Sequence, residues 1–237
     1  MMKSKHTFFC KDINFGILDE GESMHATKVM RLQEGDLMNL IDGKGRLAQV
    51  KITSTQKKEV GFDVVHEETT DQHPLPVTIA IAPTKNIDRF SFFIEKCTEM
   101  GIKEVVPFES SNSERKRLRI DKVQKVAVGA LKQSGNLYLP EVHELRAFSE
   151  VVKKDYKNHV KLIAHCEEDS DKKSMADLVN VDEPCIILIG PEGDFSPEEI
   201  NLAKENGFQP ISLGNSRLRT ETAGILACHN VYLLHSV

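Results

Sequence analysis

The sequence predicts an α/β protein in which a small N-terminal β-barrel precedes a mostly parallel sheet. In the first 70 or so residues, the segments 47–53 and 60–65 alternate apolar and polar residues, as half-buried strands do. From residue 77 onward, strand and helix patterns alternate instead, which is typical of a parallel sheet covered by helices. The polar stretch 67–76 contains two prolines and separates the two patterns, so we expect domains at 1–72 and 73–237.

The first domain is predicted to add one strand and one short helix to these two strands. Turn signals at Gly35-Asp36 and at 42–45 enclose the apolar segment 37–41, which we expect to be a strand. Apolar residues at helical spacing within 22–32 predict a short amphipathic helix that ends near Arg31.

The second domain is predicted to alternate strands and helices to its end. The strands are expected at 77–82, 105–108, 161–165, 185–189 and 210–213, and the helices at 88–100, 119–133, 148–156, 197–206 and 221–235. Asp88 is predicted to cap the first of these helices, and Gly101 and Gly207 to end two of them. The run Ser196-Pro197-Glu198-Glu199 predicts a capping box at a helix start.

Composition and cysteine usage exclude several classes of protein. With 40% hydrophobic and 28% charged residues, the 237-residue chain is neither disordered nor fibrous. Five cysteines without a CxxC pair argue against a disulfide framework and a thiolate zinc site, so we expect no metal. No apolar stretch approaches the roughly 18 residues of a membrane helix, and the apolar segment 7–10 is too short for a signal peptide. We therefore expect a cytoplasmic protein without membrane contact.

One local run of positive charge stands out in a chain whose net charge is −5. The segment 115–125 holds six basic residues in eleven, the densest positive run of the sequence. It is either a solvated helix face or a surface that contacts the phosphates of a nucleic acid, since Lys and Arg neutralise backbone charge. Because the whole molecule is acidic, any contact with nucleic acid has to be local.

Two glycine-containing loops after predicted strands are candidates for a ligand site. The strand at 185–189 runs into Gly190-Pro191-Glu192-Gly193, and the strand at 210–213 runs into Gly214 and a turn that carries Arg217 and Arg219. In open parallel sheets, ligands bind beyond the carboxyl ends of strands, and glycines let them approach the backbone. Each loop alone could also be an ordinary turn.

Other well-known site patterns are absent from the sequence. It contains no G-x-G-x-x-G after the first strand of the sheet, no P-loop, no G-x-S-x-G elbow and no H-E-x-x-H helix. The run His165-Cys166-Glu167-Glu168-Asp169 is rich in possible metal ligands, but adjacent residues at a strand end point in different directions. We therefore expect a loop there rather than a metal site.

The two glycine loops together resemble the signature motifs of a known enzyme family. The segment 188–193 with Phe195-Ser196, and Leu213-Gly214 with the segment 218–223, are similar to the two motifs of the RsmE family of 16S rRNA (uracil-N3)-methyltransferases, in the SPOUT superfamily. Weaker matches extend over nearly the whole chain, among them 24–32 in the first domain and 95–102 in the second.

This resemblance implies a fold and a cofactor. The fold is a PUA-like β-barrel that docks RNA, joined to a SPOUT domain whose parallel sheet carries a C-terminal trefoil knot, and the protein is a homodimer. The cofactor is S-adenosyl-L-methionine, held by the knot loops. The positions that match the family's cofactor site are His165, Leu188, Ile189, Gly190, Pro191, Glu192, Gly193, Leu213, Gly214, Leu218 and Thr220.

The resemblance also implies a substrate, the uridine at position 1498 of 16S rRNA within the small ribosomal subunit. Candidate RNA-binding residues are Arg31, Lys85, Arg89, Arg115, Lys116, Arg117, Arg119 and Gln133. Methyl transfer to uracil N3 requires loss of the N3 proton, and an arginine can stabilise the charge that spreads onto the flanking carbonyl oxygens. We expect Arg219 to do this, with Glu221 as a base or an orienting group.

The chain departs from the family pattern at a few positions, and two other functions stay open. Where relatives often have Glu-Arg-Ser and Gly-Gly, it has Ser111-Asn112-Ser113 and Gly193-Asp194, and it has Lys132-Gln133 and Gly135-Asn136 at two further sites. A different SPOUT enzyme would share the cofactor loops and modify another base or a ribose. A non-enzymatic RNA-binding or assembly protein would keep the basic run without needing glycines at the strand ends.

Overall fold

A computed structural model describes residues 6–56, 58–70, 74–167, 171–180 and 183–235. The chain forms two compact units, Met1–His73 with Val128–Leu139, and Pro74–Ala127 with Pro140–Val237. The expected boundary between residues 72 and 73 lies outside the described residues. The segment Val128–Leu139 belongs to the first unit, whereas the sequence analysis placed it in the second domain.

The first unit is built around a curled sheet. Its strands are β1 (Thr7–Phe9), β2 (Leu37–Ile41), β3 (Arg46–Gln56) and β4 (Glu59–Thr69), and α1 (Glu20–Met24) continues into a π-helical turn at His25–Val29. The strand order is β1-β2-β3-β4, with β1 parallel to β2 and the other neighbours antiparallel. Ile17 bridges to Gly61 on β4, so the chain after β1 returns to the opposite edge of the sheet, as expected for a small barrel.

The first unit also contains a segment from much later in the chain. Gly45 donates its N–H to the Leu137 carbonyl oxygen over 2.9 Å, and Leu139 donates to the Gly43 carbonyl oxygen over 2.9 Å. Gly45 has a φ of +99°, and a Cβ there would lie 2.5 Å from the Tyr138 hydroxyl oxygen. The glycine turn predicted at 42–45 therefore pairs with the segment 137–139 through backbone hydrogen bonds, and we call this pairing the clasp.

The second unit is a parallel sheet with helices. Its elements are β5 (Leu75–Ile81), α2 (Ile87–Glu99), β6 (Ile102–Glu109), α3 (Ile120–Ser134), β7 (Glu141–Val142), β8 (Arg146–Ala147), α4 (Phe148–Lys153), β9 (Val160–Ala164), β10 (Lys173–Ser174), β11 (Cys185–Ile189), α5 (Pro197–Glu205), β12 (Gln209–Ser212) and α6 (Thr220–His235). The strand order is β10-β12-β9-β11-β5-β6-β7, with β8 also paired to β6, and the pairings are parallel. The α/β class predicted from the sequence is confirmed. The division between the two units falls within α3.

Helices cover both faces of this sheet. Buried residues of α4 and α5 pack with Ala80, Val106 and Leu188 on one face. On the other face α6 packs against α2 and β5. Gly224 permits this approach, because a Cβ there would lie 2.7 Å from a ring carbon of Phe93. Burial on both faces explains why β5 and β11 are almost continuously apolar.

The helix boundaries agree with most of the predicted signals. Ser196 and Glu199 form the capping box of α5, and Gly101 and Gly207 adopt φ values of +83° and +86° past two helix ends. The predicted Asp88 cap is wrong, because Asn86 is the N-cap of α2 and accepts a hydrogen bond from the Asp88 N–H over 2.9 Å. Among the described residues, no helix combines the length and apolarity needed to cross a membrane.

Candidate functional site

The carboxyl ends of three neighbouring strands define the candidate site. In the sheet, β9 lies between β12 and β11, and the three strands run parallel. The loops that follow them therefore start at the same edge of the sheet. These are the loops after β11 and β12 that carry the two glycine motifs, together with the loop after β9 that begins at His165.

A cleft with two lobes lies between these loops. The first lobe has a volume of about 440 Å³ and the second about 310 Å³. Both are lined by Ala164, Cys166, Arg217, Leu218 and Ala223, so the lobes are continuous. Their combined volume is that of a typical small-molecule site.

Most of the predicted cofactor residues line this cleft. His165, Leu213, Gly214 and Leu218 line the first lobe, and Ile189, Gly190, Pro191, Glu192, Leu218 and Thr220 line the second. Leu188 and Gly193 do not. Leu188 is fully buried in the core of the sheet, since side chains alternate along β11.

The two glycines after β11 lie where the surrounding packing leaves little room for a side chain. A Cβ on Gly190 would lie 3.1 Å from the ring of Phe195, and a Cβ on Gly193 would lie 3.1 Å from the Cβ of Asn112. Phe195 in turn packs with Phe108 and Phe148, with ring centroids 6.0 and 5.4 Å away. Aromatic packing therefore anchors this loop from behind.

The glycine after β12 is favoured by its backbone conformation rather than by close packing. Gly214 has a φ of +127°, which side-chain-bearing residues rarely adopt, and no atom lies within 4 Å of the position of a Cβ. Ser212 stabilises the turn, because its hydroxyl lies 3.3 Å from both the N and the O of Gly214. This turn leaves open space in the first lobe.

The loop after β9 brings a thiol into the cleft. Cys166 is the exposed one of the five cysteines, and its N–H donates to Oδ2 of Asp194 over 2.7 Å. Burial, together with the nearby Asp194 carboxylate, raises the pKa of the Cys166 thiol. Lys172 supports the same loop by donating to the carbonyl oxygens of His165 and Glu167 over 2.8 and 2.5 Å. Glu168 and Asp169, which contributed to the apparent metal run, lie outside the described residues.

The two predicted catalytic residues differ in their access to the cleft. Arg219 is exposed and lines the second lobe. Glu221 is 7% exposed and lines neither lobe. Its Oε1 lies 3.9 Å from Nε of Arg89, and its Oε2 is buried without a hydrogen-bond partner among the described residues. The structure therefore places Arg89 against Glu221 rather than alone on the surface.

Some side chains of the basic run are hydrogen-bonded within the protein, and others are exposed without such a bond among the described residues. Arg115 donates to the carbonyl oxygens of Thr84 and Lys85, and Arg119 donates to the carboxylate of Asp121 over 2.7 and 3.1 Å. Arg117 is exposed and has no hydrogen bond or ion pair within the part of the chain that the structure describes.

The remaining predicted RNA contacts are exposed cations and an amide. Lys116 is 3.6 Å from Glu109, and Lys85 is 2.7 Å from Glu114, which raises the pKa of the Lys85 ammonium through a hydrogen bond. Lys85 and Arg117 line the same shallow depression. Arg31 and Gln133 are exposed on the first unit.

The sequence reasoning missed several residues of the cleft. These are Ala164, Cys166, Lys172, Asp194, Ile211, Ser212, Asn215, Ser216 and Ala223. Most of them adjoin a predicted residue in sequence, so the boundaries of the motifs were drawn too narrowly. Lys172 is the exception, because only the tertiary structure brings it to the cleft.

A second group of polar side chains lies on β6 and β7. Glu104, Glu141 and His143 have possible metal-ligand atoms within 4.8 Å of one another, and His143 Nε2 lies 2.5 Å from Glu104 Oε1. Burial raises the pKa of Glu104, but the hydrogen bonds with Thr78 and His143 outweigh it, so this pKa lies below its usual value of 4.5. No sequence motif pointed to this group, because its members come from two strands and a loop.

Comparison with protein families assigns both parts of the chain. A family described as an RNA methyltransferase domain matches residues 71–232. A family described as an RNA methyltransferase PUA domain matches residues 18–65. The second match falls on the curled sheet of the first unit, so this sheet is a PUA-like domain.

Individual relatives agree with these matches. The chain is 30% identical over 217 residues to the ribosomal RNA small subunit methyltransferase E of Synechocystis sp., covering 87% of this chain and 69% of the relative. A probable rRNA-methyltransferase from Porphyromonas gingivalis has 38% identity and a TM-score of 0.91, covering 98% of each chain. The ribosomal RNA small subunit methyltransferase E of Neisseria gonorrhoeae bound to S-adenosyl methionine has 26% identity and a TM-score of 0.87, covering 97% of this chain and 98% of that one.

Proposed function

Because the chain belongs to the ribosomal RNA small subunit methyltransferase E family, we propose that it methylates uracil N3 at position 1498 of 16S rRNA with S-adenosylmethionine as methyl donor. The observation that carries this proposal is the cleft at the carboxyl ends of β9, β11 and β12, where the two glycine loops meet. It supports binding of a small ligand at the edge of a parallel sheet, with an exposed arginine, Arg219, beside it.

The residues of the cleft fit the methyl donor. Ile189, Leu213 and Leu218 offer apolar contacts to an adenine ring, and the open turn at Gly214 leaves backbone groups accessible for hydrogen bonds. Arg217 lines both lobes of the cleft, and its guanidinium is suited to bind a carboxylate such as that of the methionine moiety. When bound, S-adenosylmethionine supplies a methyl group on a positively charged sulfur.

The protein's part in the reaction is alignment and charge stabilisation. The acceptor is the N3 lone pair of uracil, which becomes available when the N3 proton is lost, and negative charge then spreads onto the two flanking carbonyl oxygens. Arg219 lines the second lobe and donates hydrogen bonds to this charge. Alignment of the attacking nitrogen with the methyl group supplies much of the remaining rate enhancement.

Glu221 acts in this proposal as a positioning residue. It is almost fully buried and lies 3.9 Å from Arg89, so it orients Arg89 rather than reaching the substrate base. Arg89 is 39% exposed in its side chain, which leaves its guanidinium available to a phosphate next to the target nucleotide.

The uridine must leave its stacked position to reach the cleft, as for other base-modifying enzymes. The exposed cations of the second unit, Lys85, Lys116 and Arg117, would contact the flanking phosphates. The first unit would dock a further part of the RNA through Arg31 of the PUA-like domain and Gln133 of α3. The substrate is the assembled small subunit, which places the activity in the cytoplasm.

The proposal includes a trefoil knot and a homodimer. In support of the knot, the chain passes from β9 to β11 on one side, returns to β12 on the other side, and then brings α6 back to β5. In support of the dimer, α2 and α6 pack together and carry three exposed apolar side chains, Phe92, Tyr232 and Leu233.

Methyl transfer to defined RNAs tests the proposal. Purified protein is incubated with labelled S-adenosylmethionine and either unmodified small subunits or protein-free 16S rRNA, and the RNA is digested to nucleosides for mass spectrometry. We expect 3-methyluridine from the small subunits only. A different methylated nucleoside would replace the substrate with that of another SPOUT enzyme. An absence of both methyl transfer and donor binding would favour a non-enzymatic RNA-binding protein.

A further inference from the structure

Asp194 stands at a junction between the loops that line the cleft. It has a left-handed backbone with a φ of +63°, and its N–H donates to the Pro191 carbonyl oxygen over 2.9 Å. One carboxylate oxygen, Oδ2, accepts from the N–H of Cys166 over 2.7 Å, and the other, Oδ1, accepts from the N–H of Phe195 over 2.9 Å. Both carboxylate oxygens are therefore used by backbone donors.

The hydrogen bond between Cys166 and Asp194 joins two walls of the same cleft. Cys166 follows β9 and Asp194 follows β11, and both residues line the second lobe. A hydrogen bond to an ionised carboxylate is stronger than one between neutral groups. The carboxylate of Asp194 therefore holds the β9 loop against the β11 loop.

Asn112 supports Asp194 from the side of the basic run. Its Nδ2 donates to the carbonyl oxygen of Asp194 over 3.0 Å and to that of Gly193 over 3.3 Å. The backbone beside it is also fixed, because the Ser111 N–H donates to Oε1 of Glu199 over 2.9 Å. Asn112 and Asp194 lie far apart in the sequence, and the structure brings them into direct contact.

We propose that Asp194 is a positioning residue for the methyl donor, and that Asn112 holds its backbone in place. The pair keeps the β9 and β11 loops at the separation that the donor requires, so less conformational entropy is lost when the donor binds. This inference rests on the proposed function, because it concerns the same cleft. It assigns no contact with the RNA base to either residue.

The experiment measures binding of S-adenosylhomocysteine by calorimetry to the full-length protein and to Asp194→Gly and Asp194→Asn variants. Glycine and asparagine both accept a left-handed backbone, so neither substitution strains the turn. Glycine removes both acceptor oxygens, and asparagine replaces one of them with a donor. We expect the Kd to rise about tenfold for Asp194→Gly and by at least threefold for Asp194→Asn.

Two substitutions of Asn112 give a second test, because they should raise the Kd for S-adenosylhomocysteine to different extents. Asn112→Ala removes two hydrogen-bond donors and should raise the Kd about threefold. Asn112→Asp keeps the shape but places a carboxylate against two carbonyl oxygens, so we expect it to bind more weakly than Asn112→Ala. Equal or tighter binding by Asn112→Asp would contradict the role of Asn112.

A control and a kinetic readout separate positioning from general stability. Asp155 is an exposed carboxylate of the same unit, paired with Lys157, and Asp155→Asn should leave the Kd unchanged. In methyl-transfer assays, Asp194→Gly should raise the KM for the donor while kcat at saturating donor stays within about threefold. The melting temperature of the free variant should fall by only about 2 to 4 °C, because two hydrogen bonds to backbone donors are lost.

The two levels of the proposal fail in different ways. If the wild-type protein does not bind S-adenosylhomocysteine, the proposed function fails, and with it this inference. If the wild type binds and the Asp194 variants bind equally well, only the positioning role is wrong. A large loss of melting temperature in Asp194→Gly and Asp194→Asn, with an unchanged Kd, would likewise assign Asp194 to stability alone.

Discussion

Arg115 donates from Nε to the carbonyl oxygen of Thr84 over 2.9 Å, and its Nη2 donates to the carbonyl oxygen of Lys85 over 2.5 Å. The guanidinium therefore binds the loop that follows β5, although the sequence presents it as part of a continuous basic run. Lys85 in the same loop also donates its N–H to Glu192, a residue of the β11 loop. Arg115 thus stabilises the β5 loop, which is in turn hydrogen-bonded to the β11 loop of the cleft.

Two arginines of the run, Arg115 and Arg117, should consequently behave differently. We expect Arg117→Ala to weaken RNA binding and to reduce the slope of log K against log salt by about 1, because one phosphate contact is lost. Arg115→Ala should lower the free energy of unfolding by about 1 kcal/mol, since two carbonyl oxygens lose a charged donor. Filter binding over a salt series and thermal unfolding of both variants measure this difference. Equal salt slopes for the wild type and Arg117→Ala would contradict it.

Arg219→Ala should lower kcat for methyl transfer at least about a hundredfold, which is the usual cost of removing a donor that stabilises developing negative charge. The Kd for S-adenosylhomocysteine should remain within about threefold of the wild type, because in the proposal Arg219 acts on the base. Single-turnover kinetics with saturating small subunits measure the chemical step. Undiminished turnover with normal donor affinity would remove Arg219 from the mechanism.

Cys166 should react slowly with alkylating reagents at neutral pH, because burial and the Asp194 carboxylate raise the pKa of its thiol. The thiolate is the reactive form. The rate of alkylation should therefore keep rising about tenfold per pH unit up to at least pH 9.0, the usual pKa of a cysteine thiol. The other four cysteines are buried and should remain unmodified in the native protein. Mass spectrometry after timed treatment with iodoacetamide gives these rates. S-adenosylhomocysteine should protect Cys166, and modification without protection would place the ligand elsewhere.

Glu104 should make the stability of the second unit depend on pH. Its pKa in the folded protein is below the usual 4.5, so its stabilising contribution is present above about pH 4.5 and is lost as the pH falls through the folded-state pKa. At pH 7 we expect Glu104→Gln to lower the free energy of unfolding by about 1 to 2 kcal/mol, because the charged hydrogen bonds with Thr78 and His143 are weakened. The variant should lose less stability than the wild type between pH 5 and 3. Denaturant unfolding at several pH values measures the free energy of unfolding of both proteins as a function of pH. If the two curves run parallel, Glu104 makes no such contribution.

Sequence patterns were sufficient for elements whose burial is regular along the chain. The alternating burial of β3 and the uniform burial of β11 match their apolar patterns, and the capping box of α5 is a local signal. The short strands β1, β7, β8 and β10 were missed, because two or three residues are too few for a periodic pattern. The stretch 67–76 was predicted as a linker, although β4 continues to Thr69 and β5 begins at Leu75.

The candidate site was predictable where its residues are contiguous. The two glycine loops were found from their position after strands, whereas no spacing reveals that Lys172 reaches the cleft or that Asp194 bonds to Cys166 in another loop. Charge alone did not distinguish Arg115, which is tied to backbone carbonyls, from Arg117, which is exposed. For Asp194 and Arg115, the reason is that the hydrogen-bond partner lies far away along the chain.

The clasp between the turn 43–45 and the segment 137–139 has a consequence for the order of events during protein synthesis. The first unit requires Val128–Leu139, so it cannot be completed when residue 73 leaves the ribosome's catalytic centre. At about 5 to 20 residues per second, a further 66 residues (139 − 73) take about 3 to 13 s to synthesise. During this interval the edge that later receives Leu137 and Leu139 is without its native partner. A gene fragment that stops at residue 73 would encode an incomplete unit for the same reason.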